Sequence, residues 1–154
     1  MNATRNTTPA EIFDWRDDYA LGHAAMDETH REFVACVDAL LRAEDAALAL
    51  ALAAFEVHAR RHFAEEDLAM QQSAYGSAGC HIDEHAAILR SLDEVNASLQ
   101  QGHVHVVRAF GQALADWFPE HARVMDMGLA RWLTQRRLGG SPVLICPRAL
   151  VAAA

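Results

Sequence analysis

With 154 residues, the chain is long enough to bury one core and too short for two domains of ordinary size. Its formal net charge of -8 argues against nucleic acid or an anionic membrane surface as partner, since both require clustered positive charge. The cysteines Cys36, Cys80 and Cys146 are odd in number and share no Cys-x-x-Cys spacing, which excludes a disulfide framework and a thiolate zinc site as organising features.

The chain starts with "MNATRNTTPAEIF", polar and without the apolar stretch of an export signal. Its best apolar run, "AALALALAAF" at 46 to 55, is far short of the roughly 20 residues that cross a bilayer. A cytoplasmic protein with no membrane partner is the expectation. After "FDWRDDYALG" the apolar residues recur at steps of three and four, the helical period. A first helix aligns Met26, His30, Phe33, Val37 and Leu40 and ends near Ala43 to Asp45. A second, from about Ala46 to Gln72, aligns Leu48, Leu52, Phe55, Ala59, His62, Glu66 and Met70, and stops where Gly76 and Gly79 are expected to supply loop conformations. A third carries His81, His85, Ile88, Leu92, Val95 and Leu99 and breaks at Gly102. A fourth carries Val107, Phe110, Leu114, Trp117, His121, Met125, Gly128 and Trp132.

The fold class that follows is all-α, an antiparallel up-down-up-down four-helix bundle with an N-terminal arm. The bundle is expected to occupy residues 1–138. "GGSPVLICPRALVAAA", 139–154, leaves the pattern and is expected to be a C-terminal extension, docked as a strap or used in a dimer contact.

Histidine and carboxylate interrupt the core stripe of every helix, and in an up-down-up-down bundle they do so at one depth. His30 comes early in the first helix, His62 and Glu66 late in the second, His81 and His85 early in the third, His121 and Asp126 late in the fourth. Buried charge without a partner costs several kcal/mol per ion, so such a cluster needs something that neutralises and orients it. A metal does so. Steps of four put His62 with Glu66, and His81 with His85, on one helix face. The five-residue step from His121 turns Asp126 by about 140° in an α-helix, toward a neighbouring helix and a bridging pose. Imidazole and carboxylate without thiolate suit iron, manganese or zinc, and seven ligands exceed the needs of one ion. If Glu66 and Asp126 bridge two octahedral ions that also share an oxo or hydroxo group, one coordination position stays open.

Taken in order, Trp15 and Tyr19 before "MDETH", then "HFAEEDLAM", "HIDEH" and "WFPEHARVMD" resemble the hemerythrins, in particular the bacterial hemerythrin-like domains, over about residues 13–137. The resemblance implies two iron ions: His81, His85 and His121 on one, His30 and His62 on the other, with Glu66 and Asp126 bridging. It also implies that dioxygen binds reversibly at the position left open on the two-histidine iron. Phe63, Trp117 and Phe118 stand where the family walls the dioxygen pocket. Two residues there depart from the pattern: Ala122 replaces the usual isoleucine and Phe33 the usual leucine. Pro119, inside the fourth helix, is expected to disturb it.

The chain reads as an oxygen-binding protein, for storage, delivery or sensing, rather than an enzyme. The alternative is a di-iron enzyme of peroxidase or oxidase type at the same centre. A monomer or weak homo-oligomer is expected, and a sensing role would need a separate protein partner. His23, His103 and His105 fall outside the motif, Glu65 and Asp67 read as solvated surface, and His58 lies either beside the site or at the bundle edge.

Overall fold

The structure, a computed structural model, describes residues 12–139. Cys146 and the extension beyond Gly139 lie outside the described residues. Helices α1 (Ala24–Arg42), α2 (Leu48–Gln72), α3 (Ala78–Gln100) and α4 (Val104–His121) form a ring, and α4 runs through a π-helical turn (Ala122–Asp126) into α5 (Met127–Arg137). α1 packs on α2 and α4, and α3 packs on the same two helices from the other side. The result is the expected all-α four-helix bundle, with no strand among the described residues.

Two apolar clusters sandwich a polar layer. The larger contains Phe33, Phe55, Phe63, Leu92, Leu114 and Phe118, and the smaller contains Met26, Met70, Leu129 and Ala130. Each fully buried Phe, Leu or Met contributes roughly 1.5–3 kcal/mol through removal of apolar surface from water. The histidines and carboxylates fall between the clusters because each lies one or two turns along its helix from an apolar anchor of either cluster, as His30 does between Met26 and Phe33.

The arm is tied along α1: the Leu21 N–H donates to Asp27 Oδ1 at 2.6 Å and the Phe13 N–H to Asp38 Oδ1 at 3.1 Å. It delivers Tyr19 edge-on to Phe118, with ring centroids 5.4 Å apart.

Two expectations need correction. The turn after α2 takes its left-handed residue from Ala74 (φ 52°), not from Gly76 or Gly79, and Gly79 lies inside α3. The Tyr75 N–H reaches the Met70 carbonyl at 3.0 Å and the Ala74 N–H the Gln71 carbonyl at 3.2 Å, the paired bonds of a Schellman ending. The apolar stripe of the fourth helix also shifts. Up to His121 it follows the expected period, but beyond it the buried positions are Ala122, Asp126, Leu129 and Ala130, and Met125, Gly128 and Trp132 are not among them. The π turn takes one extra residue and so advances the face by one position. Pro119, three residues earlier, withholds an N–H from the ladder without ending α4.

Candidate metal centre

All seven residues singled out as metal ligands are buried, with His30, His81, His85 and Asp126 at zero exposure. Their donor atoms form two groups. Glu66, His81, His85, His121 and Asp126 each present one ligand atom within 4.8 Å of the others, and His30, His62 and Glu66 do the same.

The carboxylates join the groups. Glu66 Oε1 lies 3.1 Å from His62 Nε2 and 3.5 Å from His30 Nε2, while its Oε2 lies 3.4 Å from His85 Nε2 and 3.7 Å from His81 Nε2. Asp126 divides likewise: Oδ2 is 3.2 Å from His30 Nε2, and Oδ1 is 3.0 Å from His81 Nε2 and 3.3 Å from His121 Nε2. The expected 140° offset between His121 and Asp126 is not found. An i to i+5 step in a π turn returns to the same side of the helix, as i to i+4 does in an α-helix, and both side chains face the centre.

Imidazole nitrogens and carboxylate oxygens crowd together here at close range. His81 Nε2 and His121 Nε2 face each other at 3.2 Å, close to the roughly 3 Å expected of neighbouring donors on one ion with bonds of about 2 Å. His30 Nε2, His85 Nε2, Glu66 Oε2 and both Asp126 oxygens are buried without a hydrogen-bond partner. Native interiors leave only a few buried polar atoms without partners, and five of them gather at this one site. Burial pushes the Glu66 carboxyl up, but the imidazoles of His30, His62 and His85 crowded against it outweigh that and hold the group well below the usual range. Asp126 follows the same pattern: burial and the Glu66 charge raise it, and His121 and His81 bring it down. The donor set and the orphaned atoms therefore fit a divalent or trivalent metal centre.

The expected wall residues lie against the ligands. Phe63 stacks on His85 at 4.2 Å between centroids and Trp117 on His121 at 4.1 Å. Phe118 meets His30 edge-on at 5.4 Å, and Phe33 meets His62 edge-on at 6.0 Å while stacking on Phe118 at 4.9 Å. Ala122 is buried in the same cluster. On the opposite side of the polar layer, a cavity of about 170 Å³ lined by Met26, Thr29, Ala69 and Leu129 reaches His62 and Glu66 from solvent.

Sequence reasoning missed some of the supporting cast. Asp67, expected as solvated surface, has Oδ1 2.7 Å from His85 Nδ1, and Glu84 Oε2 lies 2.6 Å from His121 Nδ1. Each carboxylate belongs to a different helix from its histidine, so no spacing along the chain marks the pair. His58 is buried beside the site, its ring 5.4 Å from that of His62 and its Nδ1 3.4 Å from Glu32 Oε2. Burial and the His62 ring push it down to about 4. His23 caps α1, accepting from the Met26 N–H, and His103 and His105 are exposed.

No helix among the described residues is long and apolar enough to cross a membrane. The profile of the family described as "Hemerythrin HHE cation binding domain" matches residues 21–133. A bacteriohemerythrin of Ralstonia nicotianae is 34% identical over 125 residues, covering 81% of this chain and 91% of the relative. Bacteriohemerythrins of Pseudomonas paraeruginosa and Pseudomonas aeruginosa are 27% identical over 118 residues, covering 74% of this chain and 76% of each relative. No solved structure matches. With a buried cluster of the right donors inside the matched residues, the chain belongs to the hemerythrin family.

Proposed function

We propose that the chain holds two iron ions and binds dioxygen reversibly between them and the aromatic wall. One observation carries the reading: each of the two carboxylates turns one oxygen toward each histidine group. Glu66 and Asp126 are then the bridges, His81, His85 and His121 hold one ion, and His30 and His62 hold the other with a position to spare. When bound, the iron pair supplies the two electrons that dioxygen needs for reversible capture. The chain's own part is to hold the ligands and limit water. Phe33, Phe63, Phe118 and Ala122, all at most 1% exposed, present an apolar surface on that side, and half-buried Trp117 covers His121.

Elemental analysis after expression in iron-sufficient medium is expected to give about two iron ions per chain, falling in Glu66→Ala and Asp126→Ala. Air admitted to the reduced protein is expected to produce a visible band that disappears on deoxygenation. A folded protein that takes up only zinc, or no metal, would defeat the reading. The cavity that reaches His62 and Glu66 supports a second reading, an enzyme of peroxidase or oxidase type, because it offers small molecules an approach from solvent. Irreversible oxidation in air with rapid turnover of peroxide would favour it.

A further inference from the structure

We propose that Asp67 and Glu84 are positioning residues that make the two halves of the centre electronically unequal. By accepting the Nδ1–H of His85 and His121, they turn the His81, His85 and His121 group into the stronger donor set, which holds the ion that is harder to reduce. The inference rests on the two-iron reading above and adds to it a division of labour between the ions.

The asymmetry lies in the outer nitrogens. His85 Nδ1 has Asp67 Oδ1 at 2.7 Å and His121 Nδ1 has Glu84 Oε2 at 2.6 Å. Among the described residues, the Nδ1 atoms of His30, His62 and His81 have no hydrogen-bond partner. Both anionic acceptors thus serve one half of the centre. Neither carboxylate is shared with an arginine among the described residues, and both are part-exposed, at 28% and 37% of the side chain.

Two effects follow. A proton held at Nδ1 fixes the tautomer that leaves the Nε2 lone pair facing inward. The anion behind that proton draws it outward, enriching the ring in electron density and raising its basicity as a ligand. Stronger donation stabilises the higher oxidation state. A single electron entering the oxidised pair is therefore retained on the His30 and His62 side, next to the open position.

The test uses the full chain loaded anaerobically with Fe²⁺, its iron counted, and then titrated at controlled potential. Glu84→Gln and Asp67→Asn keep an acceptor oxygen and lose only the charge. Glu120→Gln is the control, because Glu120 lines the same groove as Glu84 but pairs with Arg123. In the first two variants the harder reduction is expected to become easier by about tenfold in its equilibrium, about 59 mV for one electron, with the easier one unmoved. Fe²⁺ binding is expected to weaken by about tenfold, and the control to match the parent. Asp67→Asn reads the same quantity through a different histidine, so a loading defect in one variant leaves the other to decide. Two ions with unshifted potentials, or both reductions shifted alike, would overturn this inference alone. One ion or none in the parent chain would remove both it and the two-iron reading.

Discussion

His121 Nε2 and Asp126 Oδ1 stand 3.3 Å apart because the residues between them wind as a π turn. The same five-residue step in an α-helix would aim Asp126 about 140° away. A chain lacking the exposed Val124 shortens the step to four and allows α winding, which again places both ligands on one face. This variant is expected to keep its metal. An alanine inserted after Val124 adds about 100° of rotation, and metal binding is expected to weaken more than tenfold. Equal metal content in the two variants would show that the winding of this turn does not set the position of Asp126.

Ala74 holds a left-handed conformation at the end of α2, where a Cβ is unwelcome. That conformation costs an L-residue roughly 1–2 kcal/mol, of which glycine's freer unfolded chain gives back about 0.5–1. Ala74→Gly is expected to raise stability by about 0.5–1 kcal/mol, read as a higher urea midpoint at unchanged slope. A lower midpoint would mean that the turn is held by contacts of the Ala74 methyl.

The metal-free protein is expected to be most stable near pH 6.5. His58 is pushed down to about 4 in the folded state, so between about 4 and 6.5 the unfolded chain binds more protons and stability climbs with pH, by at most about 3 kcal/mol. Glu66 and Asp126, both lowered, add stability that is present above their unfolded values and lost as pH falls through their folded ones. For His121, burial pushes down but Asp126 and Glu84 outweigh it and raise the group. Its contribution is complete below the unfolded value and lost as pH rises through the folded one. Denaturation at pH 5, 6.5 and 8 checks the maximum, and His58→Leu is expected to flatten the acid limb. A stability that keeps rising to pH 8 is the contrary result.

Ala122 is 1% exposed and shares its apolar cluster with the stacked Phe33 and Phe118. If iron and dioxygen are bound as proposed, the natural protein is expected to autoxidise faster and bind azide more tightly than Ala122→Ile, because the smaller side chain would leave the iron easier to reach. The larger side chain is also expected to cost roughly 1–3 kcal/mol of stability by overpacking. Identical autoxidation rates and azide affinities would show that the Phe33 and Phe118 stack already closes that route.

The bundle and the seven converging side chains were legible because both depend on period. His30, His62, Glu66, His81, His85 and His121 sit on stripes that three- and four-residue steps define, and burial follows the stripe. Asp126 does join the cluster, but through a π turn rather than the α-helical offset that its spacing suggested, since a π turn has no spacing of its own until the helix is wound. Asp67 and Glu84 escaped notice because their partners lie across a helix interface. Ala74 was invisible for another reason: the position demands glycine and the sequence does not supply it there.

The seven converging side chains are spread from His30 to Asp126, so every helix of the ring contributes and no shorter fragment contains the set. A chain emerging from the ribosome N-terminus first would expose His30, His62, Glu66, His81 and His85 while the positions of His121 and Asp126 were still to be made. Until His121 is made, the growing protein would be a collection of loose histidines with affinity for whatever soft or borderline metal is abundant. Only closure of α4 and its π turn distinguishes the final centre from that set, which makes selectivity among ions a property acquired when those segments pack.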